Sequence, residues 1–189
     1  MSPAAIRAPR RYAALLLAAV VFGAGCARPM PDSALVGYAA PNFQLENLAG
    51  NEVSLANHRG EVVILDFWAT WCGPCRQAMP TISDVARKYA GQGVVLYAVN
   101  LQEDPDTIRS FINESGLNVN VLLDTDGAVA DAYGADAIPQ TVLIDQDGTV
   151  QAIHVGLTSD LEEQLSSQIE ALVSGERLAM VAAPIRAGR

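Results

Sequence analysis

The sequence predicts an α/β fold in one domain, with a mixed central sheet flanked by helices. Strand-length apolar runs alternate with helical patterns between residues 62 and 133, the signature of β and α elements in turn. Thr141–Asp145 and Thr149–Val155 then flank Gln146-Asp147-Gly148, a hairpin signal that adds antiparallel strands. Residues 160–174 close the pattern as an amphipathic helix, with Leu161, Leu165, Ile169 and Leu172 on one face.

In chain order, residues 1–25 carry Arg7, Arg10 and Arg11 and no acid, followed by an apolar stretch from Tyr12 to Ala24. A basic start, an apolar middle and small residues at the end describe a secretory signal, and the apolar part is too short to span a bilayer comfortably as a helix. Val21-Phe22-Gly23-Ala24-Gly25-Cys26 resembles a bacterial lipobox, in which Cys26 is lipidated and becomes the mature N-terminus. Gly23 departs from it, standing where a larger aliphatic residue is usual. The competing readings are an ordinary signal cleaved after Ala27, which discards Cys26, and a twin-arginine signal from Arg10-Arg11, which lacks the rest of that pattern. Residues 26–37, with Pro29, Pro31 and Gly37, read as a tether, and 38–175 as the folded domain.

Phe43–Leu45 and Val53–Leu55 flank Ala49-Gly50-Asn51 and read as a small hairpin. Val62–Trp68 is a buried parallel strand. It leads into a helix from Cys72 to Tyr89, kinked or restarted at Pro80 and ended by Gly91 and Gly93. Val94–Val99 is a second buried strand. Asp104-Pro105-Asp106 starts a helix to Ser115. Val119–Leu123 reads as a short strand, Ala128–Tyr133 as a short helix, and 176–189 as a tail without pattern.

Trp71-Cys72-Gly73-Pro74-Cys75 places two thiols one turn apart at a helix start, directly after a strand. The sulfur of Cys72 then lies beside unpaired backbone N–H groups and the positive end of the helix dipole, which favour thiolate over thiol. Cys72 is therefore the expected nucleophile. Cys75, shielded by the first turn, is expected to attack the mixed disulfide that Cys72 forms with a substrate. Pro74 suits the first turn, where its missing N–H goes unused, and Gly73 leaves room for a partner's backbone. A structural role fits poorly: a bridge across two residues closes almost no loop. A zinc site would need further ligands, and Cys26, His58 and His154 offer no ligand-like spacing. No bound cofactor and no metal is expected.

The full chain carries a net charge of −9. Without Arg7, Arg10 and Arg11 it keeps 9 basic against 21 acidic residues, a net charge of −12. That argues against nucleic acid, for which a basic face is expected. It favours solubility and permits attraction to basic client proteins. With Cys26 lipidated, the only remaining cysteines of an exported chain are the Cys-x-x-Cys pair, which points to exchange rather than a structural bridge.

The chain resembles the TlpA/ResA-like branch of the thioredoxin superfamily, bacterial exported thiol–disulfide oxidoreductases, over roughly residues 37–175. The resemblance rests on Ala40-Pro41-Asn42-Phe43, Phe67-Trp68-Ala69-Thr70-Trp71-Cys72-Gly73-Pro74-Cys75-Arg76, Met79-Pro80, Ala132-Tyr133-Gly134 and Ile138-Pro139-Gln140-Thr141-Val142-Leu143-Ile144-Asp145. It implies a thioredoxin fold with an N-terminal hairpin and an inserted βα element over 94–123, and a redox disulfide between Cys72 and Cys75. It also implies a cis bond at Ile138–Pro139 in a loop that faces the dithiol and pairs with a substrate strand. A trans proline opening a strand is the plainer alternative.

Asp66 is a carboxylate inside an otherwise apolar strand, costly there without a partner or a task. By position it matches the buried aspartate of thioredoxin, and desolvation would suit it to take a proton from Cys75. Many TlpA/ResA-like proteins instead have a glutamate three residues after the second cysteine, where this chain has Ala78. The alternative is a core carboxylate paired with a Lys or Arg. Trp71 is expected to flank the nucleophile and help bind clients, Trp68 and Tyr133 to pack in the core, and Arg76 either to lower a cysteine pKa or to be a solvated helix arginine. His58 and His154 receive no role.

The resemblance and the signal together imply a lipid-anchored periplasmic reductase of client disulfides, and with no unpaired helix face evident a monomer is the default. Its clients would be apocytochrome c or copper-site proteins, and a membrane thiol transporter would be its electron donor. The Gly-Pro dipeptide between the cysteines is that of thioredoxin, whose potential lies at about −270 mV, against about −120 mV for the oxidant DsbA. Two further classes compete. A peroxiredoxin-type peroxidase needs a threonine three residues before its cysteine, where Ala69 stands with Thr70 one position off. A copper chaperone would use the dithiol as soft Cu(I) ligands, without a methionine- or histidine-rich tract to support it.

Overall fold

The computed structural model describes residues 35–178. Cys26, the signal expected over 1–25 and most of the expected tether and tail lie outside them. Seven strands and four α-helices follow in the order β1 (Gln44–Glu46), β2 (Glu52–Ser54), β3 (Val62–Trp68), α1 (Gly73–Tyr89), β4 (Val94–Leu101), α2 (Pro105–Ser115), β5 (Asn120–Asp124), α3 (Ala128–Ala132), β6 (Gln140–Ile144), β7 (Val150–Val155) and α4 (Leu161–Val173). β1 and β2 form their own antiparallel hairpin. The other five build one mixed sheet in the order β5-β4-β3-β6-β7, with β3 parallel to β4 and antiparallel to β6. This is a thioredoxin-like fold. The stretch 94–123 holds β4, α2 and nearly all of β5, with β4 inside the sheet and β5 at its edge.

β3 is the central strand, and all seven of its residues are buried. Covered on both faces, it has no polar side and reads as an unbroken apolar run around Asp66. Its alternation sends Val63, Leu65 and Phe67 to one face, where they pack with Phe43, Leu55, Val99, Leu122 and Tyr133 beneath the hairpin and α3. Val62 and Ile64 point the other way, against Ala78, Ile82 and Val85 of α1 and Leu161, Leu165, Ile169 and Leu172 of α4. Each large apolar side chain so buried contributes about 1.5–3 kcal/mol relative to exposure.

α1 runs unbroken through Pro80, so of the two expected effects of the proline the restart does not occur. The proline forfeits only a bond to the carbonyl of Arg76, near the exposed start of the helix. α2 begins at Pro105 with Asp104 as its cap, the side chain accepting the Asp106 N–H at 2.9 Å, and ends at Gly116, whose φ of 67° suits only glycine at low cost. The β6–β7 hairpin turns where expected, Gly148 N–H donating to Asp145 O at 2.8 Å.

Two boundaries move. The sequence suggests a tether through residue 37, yet Leu35 is buried in the first cluster and Gly37 N–H donates to Val150 O at 2.8 Å. The folded part therefore includes residues from Leu35 on. The sequence suggests a tail from 176, yet Leu178 packs on the α1–α4 cluster, and its N–H donates to Gln151 Oε1 at 3.1 Å. Among the described residues, no helix is long and apolar enough to cross a membrane.

Candidate active site

β3 ends at Trp68, and a tight turn follows, closed by Cys72 N–H donating to Ala69 O at 3.1 Å. Cys72 caps α1: its backbone is extended, and its sulfur accepts the Cys75 N–H at 3.2 Å. Gly73 and Pro74 are the first two helical residues, so proline falls where no intrahelical donor is required. A Cβ built on Gly73 would meet nothing within 4 Å, so internal packing does not demand glycine there.

Cys72 and Cys75 are joined by a disulfide. Cys75 is fully buried, and Cys72, the outer cysteine, is only 5 % exposed. Its sulfur is bonded inward to Cys75 and lies 3.7 Å from the carbonyl oxygen of Ile138. The Ile138–Pro139 bond is cis. Trp71, beside Cys72, is 70 % exposed.

Asp66 shares the α1 face of β3 with Ile64 and Trp68, and its neighbours across the sheet are Ala98 and Thr141. Ala98, Trp68, Cys72, Cys75 and Met79 form one buried cluster around the disulfide. The carboxyl is 1 % exposed, one oxygen accepts the Thr141 hydroxyl at 3.3 Å, and the other has no partner. Burial pushes its pKa up to about 7, with the Thr141 bond opposing it. No Lys or Arg pairs with it among the described residues, so the ion-pair alternative is not what the fold builds. Ala78, in the position of the family's glutamate, is fully buried against α4 and β3.

Sequence reasoning missed three contributors. Glu103, just before α2, accepts the Thr70 N–H at 2.7 Å, the Thr70 hydroxyl, and Asn100 Nδ2 at 2.7 Å. Asn100, 1 % exposed in an apolar strand, was the visible signal, but the strand was ended one residue before it. Phe111 of α2 stacks against Trp68, ring centroids 5.4 Å apart, and lies under the Arg76 guanidinium at 5.6 Å. Phe111 and Arg76, with Gly73, Gln77, Pro80 and Leu117, line an open groove of about 500 Å³ beside the dithiol. The histidines sit elsewhere: His58 bonds Glu61 and Tyr97, and His154 bonds Gln168.

Residues 36–153 match the AhpC/TSA family. The chain belongs to this family. It is 38 % identical over 134 residues to the thiol-disulfide oxidoreductase ResA of Geobacillus thermodenitrificans, covering 70 % of this chain and 77 % of that protein. A solved Chlorobium tepidum protein assigned as thiol:disulfide interchange protein DsbE superposes with a TM-score of 0.67 at 37 % identity, over 71 % of this chain and 95 % of that one. A secreted Mycobacterium tuberculosis disulfide oxidoreductase homologous to DsbE superposes with a TM-score of 0.60 at 27 % identity, over 69 % and 97 % of the two chains. Within the AhpC/TSA family the chain is thus a thiol-disulfide oxidoreductase of the ResA/DsbE type.

Proposed function

We propose that the chain is an exported, lipid-anchored protein-disulfide reductase, in which Cys72 attacks and Cys75 resolves. The observation that carries this reading is the depth order at the start of α1. The sulfur accepting a helix N–H is the outer one, facing the Ile138 carbonyl, and the fully buried sulfur lies in the apolar layer beneath Asp66's face of the sheet. In the first step Cys72 thiolate bonds one sulfur of the client disulfide, and the other client sulfur leaves as thiolate. Cys75 then loses its proton and attacks Cys72 Sγ, which closes the disulfide and releases the second client thiolate. Two electrons pass to the client, and two protons follow.

Asp66 is the proposed acceptor of the Cys75 proton. A pKa of about 7 leaves it partly ionised at neutral pH and basic enough to accept a proton. Gly73 and Pro74 are the proposed client-facing residues beside Cys72, with open space where a side chain on Gly73 would stand, and Ile138 and Pro139 present the backbone along which a client strand can pair. Trp71 supplies exposed apolar contact beside it.

The signal-like residues 1–25 and the secreted relative support export, with Cys26 as the lipidated residue and the membrane held through that anchor. Apocytochrome c and copper-site proteins are the proposed clients, a membrane thiol transporter the electron donor, and a monomer the working form. A peroxidase reading is disfavoured because the Thr70 hydroxyl is committed to Glu103. The test is a single turnover of the reduced full chain against disulfide-bonded insulin. Cys72→Ser should abolish the first step. Asp66→Asn should slow the second step by at least about tenfold while leaving the first. Equal slowing of both steps would contradict the roles assigned.

A further inference from the structure

The link between β4 and α2 carries two features that the exchange chemistry does not use. Gln102 has a φ of 53°, the left-handed region, which non-glycine residues adopt at an energetic cost. It is held there by its N–H donating to Asp124 O at 3.0 Å and its side-chain amide donating to Asp126 O at 3.1 Å. The residue that follows is Glu103. Its carboxylate makes no ion pair among the described residues and instead collects three donors: the Thr70 N–H, the Thr70 hydroxyl and the Asn100 amide. Asn100 is almost fully buried, and its own carbonyl oxygen has no partner, so its polar side chain is oriented for Glu103 alone.

Thr70 is the second residue of the Ala69–Cys72 turn. Grasping both its backbone N–H and its hydroxyl fixes that residue in position and orientation, because two bonds to one carboxylate remove the rotation that a single bond leaves. The two residues after it are the exposed Trp71 and the cap Cys72. Strained backbone next to a site suggests a functional constraint when surrounding bonds hold it in place, as they do here.

We propose that Glu103 is a positioning residue for the thiol chemistry. Through Thr70 it holds the turn that seats Cys72 Sγ on the Cys75 N–H at the start of α1. The inference rests on Cys72 being the attacking thiol. A loosened turn lets the sulfur leave that N–H, which disfavours the thiolate. Loss of the Glu103 charge acts in the opposite direction, because a nearby carboxylate also disfavours a thiolate. Glu103→Gln and Glu103→Ala both remove the charge. Only the glutamine can keep the three contacts, its carbonyl oxygen accepting two donors and its amide donating to the Thr70 hydroxyl. The difference between the two variants therefore isolates the positioning effect.

The experiment follows the pH dependence of iodoacetamide alkylation of the reduced full chain, with the modified cysteine located by mass spectrometry. Glu103→Ala should titrate at higher pH than Glu103→Gln and react about tenfold more slowly near neutral pH. Thr70→Val, which loses the hydroxyl but keeps the N–H contact, should shift the same way from wild type by a smaller factor, about threefold. It carries the test if Glu103→Ala does not fold. Superimposable profiles for the two Glu103 variants, or Thr70→Val indistinguishable from wild type, would overturn the proposal and leave Glu103 a loop tether. Alkylation of Cys75 ahead of Cys72 would overturn the assignment of the nucleophile itself, a different failure visible in the same spectra.

Discussion

Cys72 Sγ lies 3.7 Å from the carbonyl oxygen of Ile138, so residues 66 positions apart in the chain form one surface at the mouth of the site. A client sulfur reaching Cys72 must pass beside that backbone. Replacing Cys75, the proposed resolving thiol, should therefore leave the client held there: Cys75→Ser should accumulate a mixed disulfide through Cys72, seen as a mass adduct that dithiothreitol removes. Cys72→Ser should accumulate none, since the remaining sulfur is fully buried. An adduct on Cys75 in that variant would reverse the assigned roles.

Asp66 should make stability depend on pH in a defined window. Its folded pKa, about 7, lies above the ordinary carboxylate value of 3.8. Between those values the folded chain holds a proton that the unfolded chain releases. Stability is thus fully present below the unfolded value, falls as pH rises toward the folded one, and is level above it. The loss amounts to roughly 4 kcal/mol. Urea unfolding at about pH 5 and about pH 8 spans the larger part of this loss and should show a decline of roughly 2–3 kcal/mol in the wild type and a much smaller one in Asp66→Asn. Equal declines in both would place the titration on another group.

Trp71 should affect clients and not the fold. Because its ring is 70 % exposed, Trp71→Ala should change unfolding free energy by less than about 0.5 kcal/mol. The KM for a protein disulfide should rise about fivefold or more, as expected for an aromatic side chain at the centre of a contact surface. An unchanged KM would remove Trp71 from the client surface.

Tyr133 should do the reverse. It is fully buried, tilts against Phe67, and donates its hydroxyl to Pro41 O at 2.7 Å, tying the segment before the hairpin to α3. Burial raises its pKa far above the ordinary phenol value, so it stays protonated and a donor. Tyr133→Phe should cost about 1 kcal/mol, a Tm drop of about 3 °C, with disulfide reduction unaffected. A stability equal to wild type would show that the hydroxyl bond adds nothing over its solvated alternative.

Much of this molecule is legible in its sequence because the decisive signals are local. The bounds of β3 follow from its apolar run, and the capping role of Cys72 from a strand meeting Gly-Pro at a helix start. Strand ends at β4 and β5 slipped by one or two residues, since polar Asn100 and Asp124 belong to the ladders. The start of the folded part is not legible because Leu35 stands alone among proline and small residues, and only the fold shows that it reaches the core. Glu103 was invisible for a different reason. Its partner Thr70 lies 33 positions away, and no motif links a glutamate in one loop to a threonine in another. The contact exists only once β3 and β4 lie side by side.

The direction of electron flow is the centre of the account, and the reduction potential of the Cys72–Cys75 couple tests it most directly. Equilibration of the full chain against dithiothreitol and glutathione buffers should give a value near thioredoxin's, about −270 mV, in keeping with the shared Gly-Pro dipeptide and a role as reductant. A value near about −120 mV, that of a strong oxidant, would contradict the proposed reductase and make the chain a donor of disulfides instead.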